Sequence, residues 1–273
     1  MQTTSSLNLV EWVSRIREAG IPVLRPTALT LARLGEDEDR VDAHLLAQSV
    51  LTDPLMTLKV FANVAQLRSP RLVTDVETVT AAILMTGVSP FFRAFSSLDT
   101  VQDRLAGRRD ALQGLLAVVR RARRAATFAA GFAVARGDTD AETIRECALL
   151  HDFAEMLLWC LDPDLMLEMR RRQRADPQLR SADVQRELLG VEIGDLEQAL
   201  MKTWRLPDML ARMTDAHHLE NLQVRTVHLA IQLARHTESG WSNPALPDDL
   251  SEIGELLKLN VVSVRKLAIH LDA

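Results

Sequence analysis

Apolar residues return every three or four positions along almost the whole chain, the spacing that gathers them on one face of an α-helix. SLNLVEWVSRIREAG shows it first and stops at Gly20. IPVLRPT, with two prolines, reads as an extended connector, and ALTLARLG as a short helix ending at Gly35. EDEDR is a solvated acidic loop between that helix and VDAHLLAQSVL. Asp53 suits an N-cap and Pro54 the first helical position, opening PLMTLKVFANVAQL. RSPRLV is a loop. Thr74 and Glu77 have capping-box spacing before TVTAAILMTG, which stops at Gly87, and Ser89-Pro90 starts a further helix through FFRAFSSL.

Around Gly107 the texture changes. LQGLLAVVRRARRAATFAAGFAVARG reads as one long helix whose alanines and glycines allow close packing. A helix capped by Thr139 or Asp140 follows and carries ALLHDFAEMLLW. DPDLMLEMRRRQR, SADVQRELLG, EIGDLEQALMKTW, LPDMLARMTDAHH, LQVRTVHLAIQLARH, LSEIGELLKLN and VSVRKLAIHLDA continue the helical spacing. Arg170, Arg171, Arg172 and Arg174 suit an exposed helix end, and Trp204-Arg205-Leu206-Pro207 a helix stop and restart. No alternating strand, glycine-rich phosphate loop or repeat of fixed period interrupts the series. The expected fold is all-α, with an N-terminal helical subdomain (residues 1–105) packed on a helical bundle (residues 106–273).

In ALLHDFAEMLLW, apolar side chains cover nearly the full circumference of a helix, so this segment is expected at the centre of the molecule. Its polar exceptions are His151, Asp152 and Glu155. A buried charge costs several kcal/mol unless paired, so these residues need partners. They read as a structural pair tying helices together; the alternative is a metal site completed by His217 or His218. His217 and His218 themselves read as a helix-end pair that favours the dipole. Asn63, among apolar residues in KVFANVAQL, reads as a buried amide satisfied by backbone carbonyls. Arg120, Arg121, Arg123 and Arg124 span more than one helix face; of these, Arg120, Arg121 and Arg124 are candidate contacts for phosphate or a partner, since guanidinium groups bind phosphate bidentately.

Composition narrows the function. Hydrophobic residues make up 47% and net charge is −5, with 32 basic against 37 acidic residues. That balance opposes binding to nucleic acid through overall charge. No apolar run reaches the roughly 18 residues of a membrane span, and MQTTSSLNLVEW lacks the pattern of a secretory signal. Cys147 and Cys160, thirteen residues apart on one helix, would lie about 20 Å from each other, too far for a disulfide. Free thiols fit a cytoplasmic protein.

LLHDFAEMLLW resembles the LLHDIGKLLL signature of the HD superfamily. Residues 187–218, ELLGVEIGDLEQALMKTWRLPDMLARMTDAHH, resemble a stretch of the HDOD family, the HD-related output domains. LRPTALTLARLG through LKVFANVAQL resembles that family's N-terminal helices, with Asp53, Pro54, Leu58, Ala62 and Asn63 matching, and TVTAAILMTGV its next element. The resemblance spans about residues 20–235. Active HD phosphohydrolases use an earlier His, the His-Asp pair and a later Asp to hold divalent metal. Related phosphodiesterases add a further His and a His-His doublet. On this resemblance the chain keeps His151, Asp152, His217 and His218. The earlier His falls near Arg121, the added His on Ile193, and the later Asp near Ile231 or Gln232. An arginine repels a cation and an isoleucine has no lone pair, so His151, Asp152, His217 and His218 form a vestigial site with no metal or other cofactor. The resemblance implies a non-catalytic, bacterial signalling module that works through protein–protein contacts. It leaves open a nucleotide ligand, a homodimer and, as the alternative, a metal-dependent phosphohydrolase acting on nucleotides or cyclic dinucleotides.

Overall fold

The structure, a computed structural model, describes residues 7–67, 76–176, 179–215 and 218–272. Its helices are α1 (Leu9–Ala19), α2 (Arg25–Gly35), α3 (Ala43–Val50), α4 (Pro54–Leu67), α5 (Val79–Thr86), α6 (Val88–Ala94), α7 (Val101–Arg104), α8 (Arg109–Arg136) and α9 (Ala141–Leu150). They continue as α10 (Phe153–Leu161), α11 (Pro163–Ala175), α12 (Ser181–Leu189), α13 (Ile193–Trp204), α14 (Asp208–Met213), α15 (Leu222–His236), α16 (Leu246–Leu257) and α17 (Val261–Leu271). Extended pairing among the described residues is confined to one bridge, where the Val23 amide donates to Asp99 and the Val101 amide to Val23. The protein is all-α.

Local chemistry sets the helix ends. Asn8 and Glu11 form a reciprocal capping box at α1, and Gly20 ends that helix with φ +69°. Asp53 opens α4 as expected: its Oδ1 accepts from the Leu55 and Met56 amides. Its Oδ2 also accepts from the Leu24 amide at 2.7 Å, so one buried carboxylate ties the 21–24 connector to α4. The connector is shorter than expected. α2 begins at Arg25 because Pro26 is tolerated in a first turn, where its missing N–H is not needed. Thr74 lies outside the described residues. The cap of α5 is Thr78, whose hydroxyl accepts from the Ala81 amide, while the Glu146 carboxylate accepts from the Val79 amide across the fold.

The 28-residue α8, about 42 Å long, is the axis of the bundle. Ala122, Ala125, Ala126, Ala129 and Ala133 are buried along it, letting α9 and α15 approach closely. Two glycines on α8 permit still closer contacts. A Cβ at Gly114 would meet the Trp159 ring at 2.4 Å, and one at Gly131 would meet Leu271 at 2.3 Å. α1 packs against a distant part of the chain: Trp12 is buried and its indole N–H donates to the Leu189 carbonyl at the end of α12, at 2.9 Å. None of the described helices is long and apolar enough to cross a membrane.

Candidate functional site

The expected continuous helix through ALLHDFAEMLLW is interrupted. α9 ends at Leu150, α10 starts at Phe153, and His151-Asp152 form the turn between them. Asp152, at φ −106° and ψ 21°, stands at the N-cap of α10 without capping it through its side chain. That carboxylate is committed elsewhere. Arg121 Nε, from α8, donates to Oδ2 at 3.0 Å, and Arg235 Nη2, from α15, donates to Oδ1 at 2.9 Å. Arg121 Nη2 also donates to Glu155 Oε2 at 2.7 Å. Because of the break, Cys147 and Cys160 sit on different helices; both are free thiols.

Burial and charge compete at each group. Burial alone would raise the Asp152 pKa, but Arg235 and then Arg121 outweigh it and hold the carboxyl below its usual range. For Glu155 burial prevails over the attraction of Arg121, and the pKa rises. Burial works against the Arg121 charge, yet Asp152 and Glu155 raise its pKa and keep it protonated. His151 is pushed down to about 4 by burial. Its Nε2 lies 3.4 Å from Arg235 Nη2, and its Nδ1 is buried without a partner among the described residues. A neutral ring accepting at Nε2 is the form that suits a facing guanidinium.

Beside these residues lies a cavity of about 650 Å³ between α13, α14 and α15. His151, Asp152, Glu155, Ile193, Glu197, His228, Ile231, Gln232, Arg235 and His236 line it with others. Glu197 is buried; desolvation first, and then Asp152, raise its pKa well above the ordinary value, against the opposing pull of Arg235. Asp249 is buried behind the wall, 2.6 Å from both Gln232 Nε2 and His236 Nδ1.

The sequence-derived residues separate. His151, Asp152 and Arg121 meet. His217 lies outside the described residues. His218 is exposed, 3.2 Å from Glu220, and does not line the cavity. The candidate phosphate or partner contacts stand in different surroundings: Arg120 is exposed, Arg121 is bound to Asp152 and Glu155, and Arg124 is bound to Asp272 and Thr237. Successive residues on a helix point 100° apart, so Arg121 and Arg124 meet different partners while Arg120 is exposed. Asn63 is half-buried rather than buried, with no backbone carbonyl as partner among the described residues. Arg235, Glu197 and His228 were missed. Their signal was spacing: Ile193 and Glu197 are one turn apart on α13, as are His228, Gln232 and His236 in sequence on α15, with Arg235 beside them.

These residues do not fit a divalent metal. Both oxygens of Asp152 face guanidinium groups, and Arg235 also stands against His151. A cation there would meet two fixed positive charges in place of lone pairs. Among the described residues no three His, Cys, Asp or Glu side chains come together to hold a metal ion.

Comparison with solved structures gives the same architecture. The MmoQ response regulator from Methylococcus capsulatus superposes with a TM-score of 0.66 at 19% identity, covering 91% of this chain and 98% of that one. A virulence factor from Campylobacter jejuni gives 0.66 at 17% identity, covering 97% and 100%. No curated protein matched significantly in sequence. The profile of the HDOD domain family matches residues 21–220, from the connector before α2 to the turn before α15. With its His-Asp turn between two buried helices and most of its length inside that match, the chain belongs to the HDOD domain family.

Proposed function

We propose that this protein is a non-catalytic regulatory module of bacterial signal transduction, acting in the cytoplasm through contact with a partner protein. One observation carries the reading: Arg121 and Arg235 clamp both oxygens of Asp152, where a hydrolytic HD site would need those oxygens for metal. A metal-dependent hydrolase generates its nucleophile by lowering the pKa of a bound water. Here the fixed charges oppose the cation that would do this. The response-regulator description of MmoQ, with which this chain shares its fold, is consistent with a signalling role. Free thiols at Cys147, buried, and Cys160, half-buried, suit a reducing compartment.

The test is hydrolysis of bis(p-nitrophenyl) phosphate by the purified chain with manganese or iron(II). The expected rate equals that of Asp152→Asn. Turnover that Asp152→Asn abolishes would contradict the proposal and support the phosphohydrolase alternative.

A further inference from the structure

A second cavity, of about 520 Å³, opens where α1, α4 and α6 meet the end of α13. It shares no lining residue with the cavity beside Asp152. Arg17, Lys59 and Arg205 line it, together with Asn63, Phe95 and Trp204. Among its described lining residues there is no carboxylate. The chain has more acidic than basic residues, so three cations around one concavity without an acid are a local inversion of its charge.

None of the three cations is ion-paired among the described residues. Lys59 is half-buried, with Nζ 2.6 Å from the Ile21 carbonyl, a neutral acceptor, and only Asp99, at longer range, acts to favour its charge. Burial first, and then the nearby Arg104, lower its pKa. Arg104 donates to Asp99 and to the Ala19 and Gly20 carbonyls, so the nearest acid is already engaged. Asn63 presents an amide without a protein hydrogen bond among the described residues. Arg205 occupies the left-handed position after α13, at φ +52°, where glycine is the usual residue. A glycine would relieve the backbone there and would remove one cation from the rim.

We propose that this cavity binds a small phosphate-bearing ligand. Lys59 supplies a point charge in the wall, Arg17 and Arg205 supply planar donor pairs at the rim, and Asn63 supplies an amide. Phe95 and Trp204 offer apolar surface for the remainder of the ligand. The volume lies within the roughly 300–1,000 Å³ usual for small-molecule sites. The walls come from α1, α4 and α6 on one side and the end of α13 on the other, so a bound anion bridges the N-terminal helices to the bundle. The site stands whether or not the His151-Asp152 turn is catalytic.

Thermal melts of the full chain with pyrophosphate, adenosine monophosphate and adenosine test it, because a ligand that binds only the folded state raises the melting temperature. Pyrophosphate and adenosine monophosphate at millimolar concentration are expected to raise it, and adenosine is not. The pair Arg17→Gln and Arg205→Gly should weaken binding about tenfold or more without lowering the melting temperature of the free protein. Lys59→Gln, which keeps a donor for the Ile21 carbonyl, should weaken it similarly. No shift with either phosphate compound, an equal shift with adenosine, or a shift that survives all three substitutions would overturn the proposal.

Discussion

Asp152 owes its charge to two arginines. Side chains of Arg121 and Asp152 are 13% and 9% exposed, so little solvent screens their pairing. Removing one partner of such a pair strands the other in a poor solvent. Arg121→Ala leaves Glu155 without its cation and Asp152 with one of two; it should cost about 3–5 kcal/mol in urea denaturation. His151 carries a pH signature. Its pKa in the folded protein is about 4, below the ordinary 6.5. Between those values the native state binds fewer protons than the unfolded chain, so this group's contribution to stability is lost as pH falls through that window. An NMR titration should find the His151 ring neutral at pH 6; protonation with a midpoint near 6.5 would contradict its burial. Glu146 has the opposite sign. Burial pushes its pKa from 4.5 up to about 8, although the Val79 amide donates to it. Its contribution is fully present below about 4.5 and is lost as pH rises through 8. Glu146→Gln should therefore raise the melting temperature more at pH 8 than at pH 5. An equal change at both values would show that Glu146 ionises normally.

Among the helices, α8 shows how small residues decide position. The space beside Gly114 is filled by Trp159, which is itself buried. Gly114→Ala should destabilise by about 1–3 kcal/mol through overpacking, even though alanine is the better helix former. Gly194, in the first turn of α13, has nothing within 4 Å of an added Cβ. Gly194→Ala should stabilise by about 0.5–1 kcal/mol. If both substitutions stabilised, helix propensity rather than close packing would govern α8. The run of alanines made the closeness of α8 legible in the sequence. The break at His151-Asp152 was not legible, because ALLHDFAEMLLW holds no glycine or proline and its apolar spacing runs through the turn. What stops the helix is tertiary: the Asp152 carboxylate is held by guanidinium groups from α8 and α15, 31 and 83 residues away.

For the molecule as a whole, helical periodicity and ordered motifs were enough to reach the all-α fold and the family. Arg121 could be placed near the His-Asp pair because the resemblance aligned it with a ligand position. Arg235 could not, because it lies three to four residues beyond the expected aspartate position, and only the packing of α15 turns it towards Asp152. The cavity lined by Lys59 and Arg205 was equally hidden, since its residues come from helices about 145 positions apart. The account rests on guanidinium groups holding the place of a cation. Manganese content per chain, measured by inductively coupled plasma mass spectrometry after equilibration with Mn²⁺ and removal of free ion, tests that most directly. The account predicts a substoichiometric content that Asp152→Asn leaves unchanged; one or more manganese ions per chain, lost on Asp152→Asn, would contradict it.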